Sequence, residues 1–175
     1  NIIASHSLPS FDNSAMDGYA VRVEDAGKTL KQSCVIFAGD GAEIRMVEDQ
    51  CIRIMTGAKI PQGCEAIVPI EEVDVKGDLI TLPTHIKPSA HIRLKGEDIQ
   101  AGMELLRERT MLHAHHISLL ASQGVTHIKV YRRPRVALFS SGNELKMHYE
   151  DLGANQLYNT NTPTFAARAE ELGCD

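Results

Sequence analysis

An aspartate followed by a glycine, Asp17-Gly18, lies in the stretch 14–21, whose sequence is SAMDGYAV. An Asp-Gly pair is first of all a turn signal, because glycine has no Cβ and accepts a positive φ. We therefore expect Asp17 at the tip of a turn, with its carboxylate free, and a strand that begins near Tyr19. A free carboxylate can hold Mg²⁺ or act as a general base. On this stretch alone, an ordinary surface turn is the simpler interpretation.

Three further polar side chains stand where predicted strands or turns end. Thr56 follows an alternating segment and precedes Gly57, Asp98 follows a glycine, and Glu144 closes the polar loop SSGNE. Functional side chains are usually presented on such loops. Thr56 can donate a hydroxyl hydrogen bond to a ligand, and Gly57 lets a ligand approach the backbone. Each also has a structural interpretation: Thr56 ends a strand, Asp98 caps a turn, and Glu144 accepts hydrogen bonds from backbone N–H groups of its loop.

The elements that must position the first of these side chains are predicted to be short strands separated by turns over residues 19–82. Alternation places Ile52 and Ile54 on one face and Arg53 on the other. A hairpin follows, with Gly77 in its turn. Strands this short and frequent predict a compact all-β unit, either barrel-like or a small sandwich.

The following region is predicted to be a helix and then a strand. Thr110 is expected to cap the helix at its N-terminus, and Gly124 fits the C′ position just after its end. The alternating segment 126–130, THIKV, then predicts a strand.

The character of the chain changes after the proline at position 134. The apolar run 136–139, VALF, predicts a parallel strand buried on both faces. A last helix is expected to begin at Thr162, with Pro163 in its first position and Gly173 closing it. Strand, loop and helix in this order open an α/β domain. Because one strand and one helix cannot complete such a domain, we expect this sequence to be the N-terminal piece of a longer protein.

Composition excludes several classes of protein. The 175 residues are 43% hydrophobic and 23% charged, as in soluble globular proteins. No apolar run approaches the roughly 18 residues that span a bilayer, and the N-terminus lacks the features of a secretion signal. The net charge of -5 argues against a protein that binds nucleic acid through its phosphates. We therefore expect a cytoplasmic protein without membrane or nucleic-acid partners.

Neither the cysteines nor the histidines predict a metal site. The cysteines, Cys34, Cys51, Cys64 and Cys174, form no Cys-x-x-Cys pair and are expected to be reduced. A histidine cluster consists of His113, His115 and His116. On a helix His113 and His116 share a face but His115 does not, and no fourth ligand stands at metal spacing. A mixed surface face is the preferred interpretation, and the metal ligands are left unassigned.

Four segments together carry a resemblance to a known family. The string 9–20, PSFDNSAMDGYA, resembles the signature loop of the molybdopterin molybdenumtransferases, the family of bacterial MoeA and the gephyrin E domain. Three further segments match in the same order, namely 52–58 (IRIMTGA), 95–98 (KGED) and 136–145 (VALFSSGNEL). Because these matches are ordered and spread over most of the chain, the sequence is identified as a member of this family.

The resemblance implies a mixed α and β multidomain fold. A β-rich, barrel-like domain, 11–94, would be inserted in an α/β linking domain that comprises 1–10 and 95–133. Residues 134–175 would then be an incomplete N-terminal piece of a MogA-like α/β domain that binds molybdopterin.

The resemblance also implies an enzyme of molybdenum cofactor biosynthesis, which inserts molybdate into adenylated molybdopterin with Mg²⁺ and releases AMP. By this resemblance the catalytic positions are Asp17, Thr56, Asp98 and Glu144. Substrate-binding positions would be Ser14, Gly57 and Gly142. In the family the site is shared across a homodimer, so this chain alone is expected to be inactive. Contacts with the upstream adenylyltransferase and with molybdoenzymes are further expectations.

Two positions depart from the family pattern. Asn143 stands where the family usually has an aspartate, and a second aspartate is missing from 156–161, where the sequence is QLYNTN and includes Asn159. Both changes remove negative charge near the expected cation or phosphate. They keep open the alternative of a gephyrin-like scaffold or binding module. A further alternative is a β-barrel module without catalysis, which free replaceability of Asp17 would support.

Overall fold

The computed structural model describes all 175 residues and divides them into two compact units, Asn1–Thr126 and His127–Asp175. The first unit is mostly β, with one α-helix and two short 3₁₀ turns, Val23–Asp25 and Ile70–Glu72. Its strands are β1 (Ile2–Ile3), β2 (Asn13–Ser14), β3 (Gly18–Val21), β4 (Thr29–Ile36), β5 (Gln50–Ile54), β6 (Ala66–Pro69), β7 (Asp74–Lys76), β8 (Leu79–Thr81), β9 (Ile92–Arg93) and β10 (Glu104–Leu106), and its helix is α1 (Ala114–Ser122). The second unit contains β11 (Leu145–Lys146), β12 (Leu157–Tyr158) and α2 (Asn161–Glu171). Neither α-helix has the length and apolar character that crossing a membrane requires.

A six-stranded sheet forms the body of the first unit, in the order β6-β3-β5-β4-β8-β7. All neighbours are antiparallel except β4 and β5, which run parallel. The sheet is curled as a half-barrel. It does not close, because the edge strands β6 and β7 do not pair with each other. The predicted β-rich unit is therefore present, and its half-barrel sheet agrees with the barrel-like alternative and not with a sandwich.

Both faces of this sheet are buried, and successive residues of a strand enter different clusters. Tyr19 joins one apolar cluster and its neighbour Ala20 joins the other. Ile52 and Ile54 lie together in the second cluster, whereas Cys51 lies in the first, which confirms the predicted alternation of β5. A one-residue slip would move every side chain to the wrong cluster, so burial on both faces fixes the register.

The predicted hairpin is also present. β7 and β8 pair antiparallel around Gly77, whose φ of 65° is the left-handed conformation that the turn requires.

Two small strand pairings lie outside the six-stranded sheet, and the first anchors the loop that carries Asp17. β2 pairs antiparallel with β9, with Asn13 opposite Arg93 and Ser14 opposite Ile92. β1 pairs antiparallel with β10 and ties the start of the chain to the end of the unit. The signature loop is thus anchored to a strand nearly eighty residues further along the sequence.

The helix α1 begins later than predicted. His113 occupies the N-cap position, whereas Thr110 donates its backbone N–H to Arg107 in a preceding turn. Gly124 follows the helix with a φ of 68°, as expected for a C′ glycine. The prediction of a strand over 126–130 is wrong, because no strand is formed there and alternation alone does not form one.

In the second unit the predicted buried strand over 136–139 is also wrong. The segment is exposed, with Phe139 92% exposed, and its Val136 N–H donates only to the carbonyl of Asp175. The parallel pair of this unit is instead β11 and β12, which follow the polar loop. Two short strands and one helix do not show a MogA-like domain.

The helix α2 begins at Asn161, so Pro163 is its third residue and not its first. A proline in the first turn is tolerated there because its missing N–H would have no intrahelical partner. Gly173 follows the helix with a φ of 77°, as predicted for its closing residue.

Candidate active site

Asp17 lies between β2 and β3, and its carboxylate is not free as the sequence suggested. Its Oδ1 accepts hydrogen bonds from the Thr56 backbone N–H at 2.7 Å and from the Thr56 hydroxyl at 2.6 Å. β3 pairs with β5, with Gly18 opposite Ile54, and this pairing brings the two residues together across 39 positions. The Thr56 hydroxyl proton is therefore donated to Asp17, and its oxygen lone pairs remain available to a ligand.

The two hydrogen bonds from Thr56 lower the pKa of Asp17, the side-chain bond most and the backbone bond next, and the positive charge of Arg53 adds to the effect. Asp17 is exposed and is ionised at neutral pH. Its second oxygen, Oδ2, makes no hydrogen bond within the chain. The carboxylate is thus fixed through one oxygen and presents the other, which suits a hard cation or a water molecule.

Gly18 has a reason to be glycine that differs from the predicted one. Its φ is not positive, so the turn does not require it. A Cβ at this position would instead collide with the carbonyl oxygen of Val68 on β6 and would lie 2.9 Å from the Val68 carbonyl carbon. Glycine allows β6 to approach the strand that starts directly after Asp17.

Ser14 and Gly57 are joined by a backbone hydrogen bond next to the Asp17–Thr56 pair. Ser14 is buried, its hydroxyl donates to the Met16 carbonyl at 2.6 Å, and its own carbonyl accepts the Gly57 N–H at 2.8 Å. Gly57 has a φ of 81°, a conformation that favours glycine. Both residues therefore shape the loops that carry Asp17 and Thr56.

Asp98 is paired with an arginine that the sequence analysis did not single out. Arg93, on β9, donates from Nη2 to Asp98 Oδ2 at 2.5 Å, and Asp98 donates its backbone N–H to the Leu8 carbonyl. The Asp98 side chain is 53% exposed, so the ion pair orients the carboxylate more than it stabilises the fold. An open depression of about 490 Å³ is lined by Asp98 and the loop 96–103. Asp98 makes no hydrogen bond to Asp17 or Thr56.

Glu144 and Gly142 belong to the second unit and contact each other. The Glu144 carboxylate folds over Gly142, where a Cβ would lie 2.5 Å from Glu144 Oε1. Gly142 therefore leaves room for this side chain. Asn143 is exposed beside them.

Asn159, one of the two departures from the family pattern, is buried and fully used in hydrogen bonding. Its Oδ1 accepts the Thr162 backbone N–H at 3.1 Å, and its Nδ2 donates to the Thr162 hydroxyl at 2.9 Å. Ser140 also donates to Oδ1 at 3.3 Å. The amide thus caps the start of α2 and links it to the loop that precedes Glu144.

The three histidines at the start of α1 lie closer together than the sequence suggested. His115 was expected on another face, yet its Nε2 lies 3.1 Å from Nε2 of His116, and its ring stacks on His113 with centroids 5.6 Å apart. His113 precedes the helix in an extended conformation, so helical spacing does not apply to it. No group of three or more His, Cys, Asp or Glu side chains has the geometry of a metal site.

All four cysteines are free thiols. Burial raises the pKa of Cys51 and of Cys64 to about 11, so these two thiols are protonated at neutral pH and do not form a nucleophilic site.

Sequence reasoning missed the two arginines nearest the site residues. Arg93 stands opposite Asn13 in the β2–β9 pairing, and Arg53 stands opposite Tyr19 in the β3–β5 pairing. Alternation placed Arg53 on the face opposite Ile52, but its neighbour on that face depends on strand register. No local signal in the sequence identifies that neighbour.

The chain is similar to known proteins along its whole length. The family model described as the MoeA N-terminal region (domain I and II) matches residues 1–124. A molybdopterin molybdenumtransferase of Haemophilus influenzae is 39% identical over 100% of this chain and 44% of its own length. One from Nostoc is 37% identical over 96% of this chain and 40% of its own length. The chain thus spans less than half the length of these curated relatives.

Two solved structures agree in fold along nearly the whole chain. Both are molybdopterin biosynthesis MoeA proteins from Pyrococcus horikoshii. One has a TM-score of 0.81 at 30% identity and covers 99% of this chain and 46% of its own; the other has a TM-score of 0.89 at 28% identity and covers 98% and 48%. The resemblance carried by the four sequence segments is confirmed, and this chain belongs to the MoeA N-terminal region family.

Proposed function

We propose that the chain acts in molybdenum cofactor biosynthesis as part of a molybdopterin molybdenumtransferase, which inserts molybdate into adenylated molybdopterin and releases AMP in the cytoplasm. The names of the relatives support the pathway and the transferase class. The observation that carries the proposal is the Asp17–Thr56 pair in the signature loop. It provides an ionised carboxylate that is fixed through one oxygen and open at the other.

Mg²⁺ fits the donors present. Mg²⁺ in enzymes is usually held by one or two carboxylates together with waters and substrate phosphates, not by a closed protein cage. Asp17 supplies an unoccupied carboxylate oxygen, and Asp98 supplies an exposed carboxylate whose charge is shared with Arg93. When bound, the ion would neutralise phosphate charge. Asp17 is the residue that we propose to hold it.

The remaining predicted site residues have separate roles in this proposal. Thr56 is a positioning residue, because both of its donors are directed at Asp17. Gly57 and Ser14 keep the Thr56 loop next to the signature loop through their backbone hydrogen bond. Gly142 leaves space for Glu144, whose exposed carboxylate is available to substrate.

The active assembly is proposed to be a homodimer of the full-length protein, and the 175-residue chain alone is proposed to be inactive. Contacts with the upstream adenylyltransferase and with molybdoenzymes are proposed as well. A second candidate function, a gephyrin-like scaffold without catalysis, is favoured by one observation: Asn159 serves as a helix cap, so that position supplies an amide and no carboxylate.

The test is AMP release from adenylated molybdopterin by the full-length protein, with molybdate and Mg²⁺, compared with its Asp17→Asn variant. We expect the variant to lose AMP release by about 100-fold or more, since an amide lacks the negative charge with which a carboxylate holds Mg²⁺. Asp74→Asn, on the exposed hairpin strand β7, is the matched control and should leave the rate unchanged.

Each outcome separates the candidates. An equal loss of AMP release in Asp17→Asn and Asp74→Asn would mean that the rate depends on the net charge of the protein and not on the carboxylate at position 17. Full activity of Asp17→Asn would reduce Asp17 to a structural loop residue. Absence of AMP release by the unmodified full-length protein would support the scaffold.

A further inference from the structure

We propose that Arg53 is an anion-binding residue that contacts a phosphate group of the substrate beside Asp17. The inference rests on the proposed function for the identity of that phosphate, which would be the phosphodiester or pyrophosphate portion of an adenylated pterin. The existence of an anion site at Arg53 follows from this chain's own contacts.

The guanidinium of Arg53 is held over a buried aromatic ring. Arg53 on β5 stands opposite Tyr19 on β3, and its Cζ lies 5.1 Å from the centroid of the tyrosine ring. The ring is a rigid support, because Tyr19 is only 3% exposed. Contact through the flat face of a guanidinium leaves the N–H groups at its edge free to bind.

Those N–H groups have no partner in the chain. Arg53 makes no ion pair and its side chain donates no hydrogen bond, although it is half-buried. Six of the nine other arginines have a carboxylate or amide partner, namely Arg22, Arg45, Arg93, Arg107, Arg133 and Arg168. The remaining three, Arg109, Arg132 and Arg135, are exposed to water, unlike Arg53. A bound anion would supply these N–H groups with the partner that the chain does not provide.

The Asp17 carboxylate does not serve as the partner of the Arg53 guanidinium. The pKa of Asp17 is lowered mainly by its hydrogen bonds from Thr56, and the charge of Arg53 contributes last. The chain's ion pairs include none between Arg53 and Asp17. Thr56 instead supplies both hydrogen bonds to Asp17. The guanidinium fork is therefore left for a ligand, next to a carboxylate oxygen that is open to a cation.

This arrangement suits a phosphate group in particular. Arginine binds phosphate through two parallel N–H···O bonds, whereas lysine acts as a point charge and has no planar face for an aromatic ring. A phosphate at Arg53 would be neutralised on one side by the guanidinium. Asp17 would hold any cation that accompanies the phosphate, through its open carboxylate oxygen.

The test uses the full-length protein with three variants, Arg53→Gln, Arg53→Lys and the control Arg22→Gln. Arg22 also carries one positive charge and pairs only with the exposed Glu24, so its change should not affect binding. AMP is the probe, and calorimetry measures its affinity with Mg²⁺ present. We expect Arg53→Gln to weaken AMP binding about 10- to 100-fold, the worth of a charge-assisted pair of hydrogen bonds. Arg53→Lys should recover only part of this loss.

A second measurement needs no variant. Arginine-selective modification of the wild-type protein, mapped by mass spectrometry, should label Arg53 in the absence of AMP, and AMP should protect it while the similarly half-buried Arg22 stays labelled. Failure of AMP to protect Arg53, or equal affinities of Arg53→Gln and Arg22→Gln, would overturn the inference.

The AMP-release assay distinguishes this inference from the proposed function. If wild type releases AMP and Arg53→Gln raises KM with little change in kcat, the proposed function and the phosphate contact are both supported. If wild type is active and Arg53→Gln behaves normally, only the phosphate contact fails. If wild type is inactive yet AMP binding depends on Arg53, the anion site stands and the proposed function fails.

Discussion

At Gly18 the backbone of β3 passes so close to β6 that no side chain fits between them. We predict that Gly18→Ala lowers the free energy of unfolding by about 2–3 kcal/mol, because the new methyl group would overlap the Val68 carbonyl group and force the strands apart. Urea denaturation measures this. Gly41→Ala is the control, since nothing lies within 4 Å of a Cβ there and its φ is not positive. Equal stability of the two variants would contradict the packing explanation.

The hydrogen bonds from Thr56 to Asp17 predict how the pKa of Asp17 changes when Thr56 is replaced. In Thr56→Val the hydroxyl donor is lost and the backbone donor remains, so the pKa of Asp17 should rise part of the way toward 3.8. Thr56→Ser keeps the hydroxyl and should keep the low pKa. Carboxyl carbon chemical shifts followed by NMR during an acid titration report the value directly.

The sign of the linked effect on stability follows from the direction of the shift. Because the folded-state pKa of Asp17 is lowered, its contribution is present above pH 3.8 and is lost as the pH falls through the folded pKa. Thr56→Val should therefore show a weaker dependence of stability on pH in this acidic range. Identical titrations of the Val and Ser variants would show that the hydroxyl does not set the pKa.

Among the helices, α1 begins with a hydrogen bond that requires a neutral histidine. The backbone N–H of His113 donates to Nδ1 of His116 at 3.0 Å, so this nitrogen must carry no proton. Desolvation, followed by the charges of His115 and His113, lowers the pKa of His116. A protonated His116 would lose the cap and would place a positive charge at the N-terminus of the helix, where it is unfavourable.

We therefore predict that acidification weakens the start of α1. Because the folded-state pKa of His116 lies below 6.5, the stabilisation is present above pH 6.5 and is lost as the pH falls through the folded pKa. His116→Gln keeps an acceptor three residues after the N-cap and removes the titration, so its melting temperature should change less between about pH 7.5 and about pH 5.5. The exposed His85→Gln serves as control and should behave as wild type; equal pH dependence in all three proteins would exclude His116.

The second helix, α2, depends on the amide of Asn159. We predict that Asn159→Ala destabilises the second unit by about 1–2 kcal/mol, because the Thr162 N–H loses its side-chain acceptor and the Thr162 hydroxyl keeps only the Ser140 hydroxyl as a partner. Asn159→Asp should be tolerated: a carboxylate accepts from the same N–H, and the Thr162 hydroxyl can turn to donate. Circular dichroism during urea unfolding compares the variants. Equal destabilisation by Ala and Asp would mean that the amide donor, and not the cap, is essential.

At the scale of the whole molecule, the two units differ in how much they bury. The first unit has an apolar cluster on each face of its six-stranded sheet. In the second unit Asn159 is the only buried residue, and large side chains such as Phe139 and Leu172 are 92% and 68% exposed. Local stability follows buried apolar contact, so the units should differ in their local opening.

We predict that amide hydrogen exchange in the 175-residue chain is slow in β3, β5 and β6 and fast across 127–175. Mass spectrometry of peptides after deuterium exchange measures both regions in one experiment. The exposed edge strand β7 is an internal comparison within the first unit, where exchange should be intermediate. Protection of the second unit equal to that of the central strands would contradict this prediction.

Features that depend on residues close in the chain could be predicted from the sequence. The alternation of Ile52 and Ile54, the Gly77 hairpin and the closing glycines Gly124 and Gly173 all follow from local geometry, and the structure confirms them. The family was also predictable, because its four segments are read directly as sequence. Helix starts were less certain: α1 begins beyond Thr110, since competing turns use the same residues.

Strand register and tertiary contact decided the remaining features. The partner of Asp17 lies 39 residues away on another strand, and the reason for Gly18 is a carbonyl on β6. Arg53 meets Tyr19 only through the β3–β5 pairing. The apolar run 136–139 has the composition of a buried strand, yet it is exposed because no β-ladder partner lies beside it. Sequence determines what each residue prefers locally, whereas non-local pairing determines which groups meet, because hydrogen-bonded strands bring together residues that are distant in the chain.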